Sequence, residues 1–166
     1  MGPDMELKEL MLRRPRLTLA VAESLTCGRL QAAIGSISGG SEFFLGGITA
    51  YTIDQKVRHL GVDRGLAESV NAVSPAIAGQ MACGACVLFG SDLAVATTGY
   101  AEPAPERGIL HPLAYWALAH RRGSAAAVVR EGSLERPEAG RIAMQTAVAE
   151  AALAALVDYL RAFRAG

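Results

Sequence analysis

Apolar residues along this chain come in short blocks separated by Pro, Gly and charge. Leu17 to Ala22 (LTLAVA) and Leu93 to Thr97 (LAVAT) are continuous apolar runs, the pattern of strands buried on both faces. Phe43 to Tyr51 reads as another strand, with Gly46-Gly47 marking a close backbone approach or a bulge. Leu113 to Ala119 and Ala125 to Arg130 are two more, and Gly123 between them predicts a hairpin, hence an antiparallel pair. Helical blocks lie between. Met5 to Arg14 carries Leu7, Leu10 and Met11 on one face and stops at Pro15. Further helices are expected over Arg29–Ile37 and Asp54–Leu60. Another runs from Pro75 to Phe89, with Ser74 as N-cap and Gly90 as stop. An Ala-rich helix from about Glu138 to Phe163 closes the chain. Ser38 to Ser41 is a turn, and Thr98 to His111 is a loop punctuated by Pro103, Pro105 and Gly108.

Strands alternating with helices predict an α/β sheet with helices on both faces. The expected fold is a three-layer α/β/α sandwich with a mixed, mostly parallel sheet, in a single domain over residues 1–166. No repeat or interdomain linker interrupts it. In such sheets the ligand crevice lies beyond the carboxyl ends of the strands. Three loops qualify: those after Ala22, Tyr51 and Thr97.

Composition narrows the function. A chain of 166 residues that is 51% hydrophobic has enough apolar surface to fold, which excludes a disordered chain. The 16 basic and 16 acidic residues cancel, so the charge excess of a nucleic-acid binder is missing. Thirty-one alanines and 18 glycines favour close helix–sheet packing. No apolar run reaches the roughly 18–20 residues of a membrane span, and Met1 to Met5 does not read as a signal peptide. The three cysteines form no disulfide framework, and a cytoplasmic location is expected. Cys83-Gly84-Ala85-Cys86 falls mid-helix, away from the dipole that activates a redox thiol, and reads as inert core. His59, His111 and His120 are scattered, so neither metal nor cofactor is expected.

The chemistry concentrates after the first strand. Glu23-Ser24-Leu25-Thr26-Cys27-Gly28 leads into a helix, whose N-terminal N–H groups suit a phosphate or a developing oxyanion. Ser24 and Thr26 place hydroxyls there. On spacing alone, one of them caps the helix or one of them serves a ligand. The segment is neither a Walker A loop nor a nucleophile elbow.

Ala22-Glu23-Ser24-Leu25-Thr26-Cys27-Gly28 resembles the A-E-S-C-T-G-G motif of the CinA C-terminal domain family, the competence- and damage-inducible proteins. Ser38-Gly39-Gly40-Ser41 with Phe43-Phe44 is similar to the family's P-G-S-S segment and its following aromatic. Gly47 to Tyr51, Lys56 and Leu60-Gly61-Val62 resemble G-F-V-T-Y-S-N-E-A-K…L-G-V. Ala72-Val73-Ser74 matches G-A-V-S, and Thr98-Gly99-Tyr100-Ala101-Glu102-Pro103 resembles T-G-I-A-G-P. The resemblance runs from about Leu17 to the last helix. It implies hydrolysis of nicotinamide mononucleotide to nicotinic acid mononucleotide and ammonia. Ser24 would be the nucleophile and Lys56 its base, with Tyr51 and Thr98 at active-site positions. Thr26, Gly28 and Gly99 would border the substrate. An arginine at the start of the last helix, Arg141 or its neighbour Arg136, would hold the phosphate. The expected partner is thus a small-molecule amide. A homo-oligomer is also expected, with the Ala-rich helix either its surface or plain core.

Two departures bear on the substrate. Cys27 replaces a glycine whose position suits positive φ or a close approach. The family's P-G-G-s-e-e-K-P-V-G-T becomes Pro103 to Tyr115, with Glu106, Arg107, Leu110 and His111 expected to put bulk and charge at the site. Two function classes follow: a Ser–Lys amidohydrolase with an altered substrate, or a small-molecule-binding or regulatory module that has lost turnover.

Overall fold

The computed structural model describes residues 2–166. Six helices and five strands follow in order: α1 (Pro3–Leu12), β1 (Leu19–Glu23), α2 (Arg29–Gly35), β2 (Phe44–Thr49), α3 (Ile53–Leu60), α4 (Arg64–Ser69), α5 (Pro75–Phe89), β3 (Leu93–Tyr100), β4 (Leu113–Arg122), β5 (Ala125–Glu135) and α6 (Arg141–Ala165). The strands form one sheet in the order β2-β1-β3-β4-β5. β1 pairs parallel with β2 and with β3, while β3–β4 and β4–β5 are antiparallel. Four strands therefore run one way and β4 runs against them, the mixed, mostly parallel sheet of a three-layer α/β/α sandwich. The β4–β5 hairpin turns at Gly123, which has φ +69°.

The two faces of the sheet differ in side-chain size, and the alternation is written into the strands. Leu19 and Val21, Leu93 and Val95, and Leu118 point to one side, where they pack with Leu30, Ile34, Phe43, Leu156 and Leu160 under α1, α2 and α6. Ala22, Ala94, Ala96, Ala117 and Ala119 point to the other and pack with Ile77, Met81, Ala82 and Ala85 of α5. An alanine layer brings a helix close only if the helix is also small, and α5 reads PAIAGQMACGAC over that stretch. The same closeness joins α5 to α3, because a Cβ on Gly84 would collide with the Leu60 carbonyl. Ser74 accepts from Ile77 N at 3.2 Å and Pro75 occupies the first turn, as the sequence predicts.

Several boundaries differ from expectation. β3 continues through Thr98, Gly99 and Tyr100, because pairing with Leu113–Tyr115 of β4 extends it past the apolar run. The expected loop is correspondingly shorter, a single turn at Pro105–Arg107 closed by an Ala104–Ile109 bridge. α4 was not expected from the pattern. It has six residues, capped by Asp63, whose Oδ1 accepts from Leu66 N at 2.7 Å. The Gly46 region is a bulge, with the register stepping from Phe44 to Gly46, and Gly46 at φ +142°. α6 is long and apolar enough to cross a bilayer by length and composition alone. Here Met144, Val148, Ala152, Leu156 and Leu160 are buried within the protein, so the helix is a core element.

Cys83 and Cys86 lie inside α5, as the spacing suggests. Burial raises both thiols, Cys86 to about 11, whereas Cys27 is exposed. A thiol-reactive dye at pH 8 is expected to modify Cys27 quickly in the folded protein and Cys86 only after unfolding. Rapid labelling of all three without denaturant would contradict this packing.

Candidate active site

The carboxyl ends of β1, β2 and β3 lie side by side, and the loops leaving them meet there. β1 ends in Glu23, a fully buried carboxylate. Glu23 accepts from Leu30 N at 2.8 Å, Gln31 N at 3.0 Å and the Gln31 side-chain amide at 3.0 Å. It thus satisfies the orphan donors of α2, whose N-cap residue, Gly28, has no side chain to do so. Neither Ser24 nor Thr26 caps the helix. The N-terminus of α2 is filled by Glu23 and is not the anion site its position suggests.

The hydroxyls of the loop go elsewhere. Thr26 is buried and shares a 2.8 Å hydrogen bond with Thr97, whose hydroxyl also lies 3.4 Å from Ser24 N. The turn that follows passes through two left-handed residues, Cys27 at φ +44° and Gly28 at φ +93°. Cysteine therefore occupies a backbone conformation that favours glycine, as the substitution implies. Thr26 and Gly28 shape this turn, and neither lines the cavity beside it. Ser24 does.

Lys56 comes from the first turn and a half of α3, capped by Thr52. Its ammonium nitrogen lies 2.9 Å from Ser24 Oγ and 3.1 Å from the Tyr51 carbonyl oxygen. The side chain is 2% exposed, and burial brings its pKa from 10.5 down to about 8. No carboxylate is hydrogen-bonded or ion-paired to it among the described residues. The cause is desolvation, which disfavours the charged form. Once deprotonated, such an amine can take up the proton of a serine hydroxyl beside it, which base-assisted nucleophilic chemistry requires.

Ser24, Lys56, Tyr51, Thr98, Gly99 and Arg141 all line one cavity of about 660 Å³. Thr98 Oγ1 donates to the Ala72 carbonyl at 2.6 Å, fixing the chain before α5 to the wall of the cavity. Asn71 and Ala72 there are both left-handed, at φ +50° and +56°, and Asn71 donates to the Tyr100 hydroxyl at 3.0 Å. Gly99 has a packing reason to be glycine, since its Cβ would lie 2.6 Å from Ala114. Arg141 donates to the Tyr51 hydroxyl at 2.8 Å and to Glu102 at 2.9 Å. Arg136 does not line the cavity, which separates the two arginine candidates. Of the substituted loop, Pro103, Ala104, Glu106 and Arg107 reach the cavity. Leu110 and His111 do not; both are exposed beyond the Ala104–Ile109 bridge, so the expectation that they crowd the site is corrected. Among the described residues, no three His, Cys, Asp or Glu side chains converge.

Sequence reasoning missed Glu23 as the helix cap and Thr97 as the partner of the loop. Both are polar residues inside apolar strands, and that anomaly was the available signal. It also missed Arg64 and Glu68, which α4 brings to the cavity.

The buried lysine has a cost that can be measured. Below about pH 8 Lys56 is protonated in both folded and unfolded chains, and the folded state carries the full desolvation penalty. Between about 8 and 10.5 the unfolded chain binds the extra proton, so stability rises with pH across that window. The shift corresponds to about 3 kcal/mol. Lys56→Met is therefore expected to stabilise the protein at pH 7 by up to that amount and to flatten the rise, as read by denaturant unfolding at pH 7 and 10. A destabilised variant at pH 7 would contradict the assignment.

The family model described as the CinA C-terminal domain matches residues 5–160. A CinA-like protein of Picosynechococcus sp. is 48% identical over 93 residues, 56% of this chain and 22% of the relative. One from Chlorobium limicola is 44% identical over 98 residues, 59% of this chain and 23% of the relative. The chain thus matches less than a quarter of these relatives' lengths. Among solved structures, the competence/damage inducible protein CihA of Agrobacterium tumefaciens superposes with a TM-score of 0.77 at 28% identity, covering 97% of each chain. The competence or damage-inducible protein of Enterobacter asburiae gives a TM-score of 0.82 at 23% identity, covering 95% of this chain and 96% of its own, and likens the fold alone. With a family model spanning nearly its whole length, this chain belongs to the CinA C-terminal domain family.

Proposed function

We propose that this protein is an amidohydrolase that cleaves a small linear carboxamide, of the kind found in nicotinamide mononucleotide, through a Ser24–Lys56 pair. The observation that carries the reading is a desolvated lysine 2.9 Å from a serine hydroxyl at the wall of a cavity. The Tyr51 carbonyl accepts one N–H of Lys56, leaving another position on the nitrogen for Ser24, which the lone pair of the neutral amine can take.

In the first half-reaction, the Ser24 oxygen attacks the amide carbon and its proton passes to Lys56. The carbonyl oxygen becomes an oxyanion. The N–H of Leu25, which lines the cavity and has no hydrogen-bond acceptor among the described residues, is its candidate donor. As the tetrahedral adduct collapses, the C–N bond breaks and Lys56 returns the proton to the departing nitrogen, giving ammonia and an ester on Ser24. Water then attacks the ester, Lys56 takes the water proton, and the carboxylic acid leaves with Ser24 regenerated. Thr98 acts by positioning, through Ala72.

Ammonia release from a panel including nicotinamide mononucleotide tests the reading. Ser24→Ala and Lys56→Met are each expected to lower turnover by about a thousandfold or more while remaining folded. In the unsubstituted enzyme, kcat/KM is expected to rise with pH through about 8, because Lys56 must be neutral to accept a proton. Turnover that survives Ser24→Ala would reject the nucleophile assignment.

A further inference from the structure

We propose that Glu102 sets this site against phosphate-bearing amides, so that its substrate class is a phosphate-free carboxamide such as a nucleoside or a free aromatic amide. The inference rests on the amidohydrolase reading for its chemistry, but its structural basis is separate.

Arg141 presents a guanidinium fork to the cavity, the geometry that recognises phosphate when its donors are free. Here one donor on each terminal nitrogen is engaged. One terminal nitrogen donates to the Glu102 carboxylate at 2.9 Å and the other to the Tyr51 hydroxyl at 2.8 Å. A phosphate monoester carries about −1.5 to −2 charges at neutral pH. To reach Arg141 it must displace the carboxylate or sit beside it.

Two of the three other cations of the lining are already partnered. Arg64 pairs with Asp54 at 2.7 Å and lies 3.7 Å from Glu68. Lys56 is turned to Ser24 and the Tyr51 carbonyl. Arg107, next to Glu106 on a short turn of the lining, has no ion-pair partner among the described residues. Four carboxylates and four cationic residues line the cavity, so it has no net attraction for a dianion.

The pair adds little to the fold. Its side chains are 44% and 64% exposed, a setting in which ion pairs contribute weakly to stability. Glu102 also stands at the second glycine of the T-G-I-A-G-P pattern that Thr98–Pro103 otherwise resembles. A glycine there would leave the guanidinium open.

The test compares the protein with its Glu102→Gln variant, which keeps the shape and removes the charge. The amides are nicotinamide mononucleotide, its dephosphorylated nucleoside and nicotinamide. In parallel, inorganic phosphate is titrated calorimetrically into both proteins and into Glu102→Gln/Arg141→Ala. The unsubstituted protein is expected to favour the nucleoside over the mononucleotide by tenfold or more in kcat/KM. Glu102→Gln should raise the mononucleotide-to-nucleoside ratio of kcat/KM at least tenfold and tighten phosphate binding in a manner lost with Arg141→Ala. If neither protein releases ammonia from any amide, the amidohydrolase reading fails and the phosphate titration alone decides the role of Glu102. Equal phosphate affinity with and without the Glu102 charge overturns the proposal. So does an unsubstituted enzyme that prefers the mononucleotide.

Discussion

A lysine buried without a carboxylate partner is costly, and in this fold that cost is met at one place only. Lys56 is held between the Ser24 hydroxyl and the Tyr51 carbonyl. Its location depends on α3, and α3 depends on α5, which approaches closely enough for Gly84 to touch the Leu60 carbonyl. α5 in turn lies on the alanine face of the sheet. The alternation of Leu or Val with Ala in β1 and β3 thus reaches the site: a larger residue at Ala94 or Ala96 would lift α5 and, through α3, move the lysine.

The serine is prepared by a different polar burial. Glu23 ends β1 and takes the N–H groups of Leu30 and Gln31, work that a hydroxyl in the loop would otherwise do. Thr26 is tied to Thr97. Ser24 is left as the hydroxyl of that loop that faces both the lysine and open space. Two buried polar groups, the Glu23 carboxyl and the Lys56 amine with its lowered pKa, therefore sit on different elements with separate tasks. On the far wall, Arg141 is hydrogen-bonded to Glu102 and Tyr51, so in the proposed reading the chemistry and the selection of ligand fall to different residues.

Much of this was legible in the sequence because it follows from local rules. LTLAVA and LAVAT read as two-sided strands, Ser74-Pro75 reads as a helix start, and three loops at strand ends mark the crevice. Resemblance to family motifs then placed Ser24, Lys56, Tyr51 and Thr98 together, and they do line one cavity. The rest required partners distant in sequence. Thr98 and Gly99 looked like loop because the apolar run stops at Thr97, and only pairing with β4 extends the strand. α4 was too short for a periodic signal. Thr26 looked like a ligand-facing hydroxyl because nothing local reveals Thr97 beneath it. A linear reading puts Leu110 and His111 at the site because it cannot show the Ala104–Ile109 bridge beyond which they lie.

The central claim is that Lys56 is desolvated enough to act as a base near neutral pH. The chain has only two lysines, Lys8 and Lys56, so lysine-specific isotope labelling gives a two-signal spectrum that Lys8→Arg assigns. Following the Lys56 signal by NMR across pH 6 to 12 should show titration near 8. A Lys56 signal that stays protonated up to the ordinary lysine range near 10.5 would contradict the account.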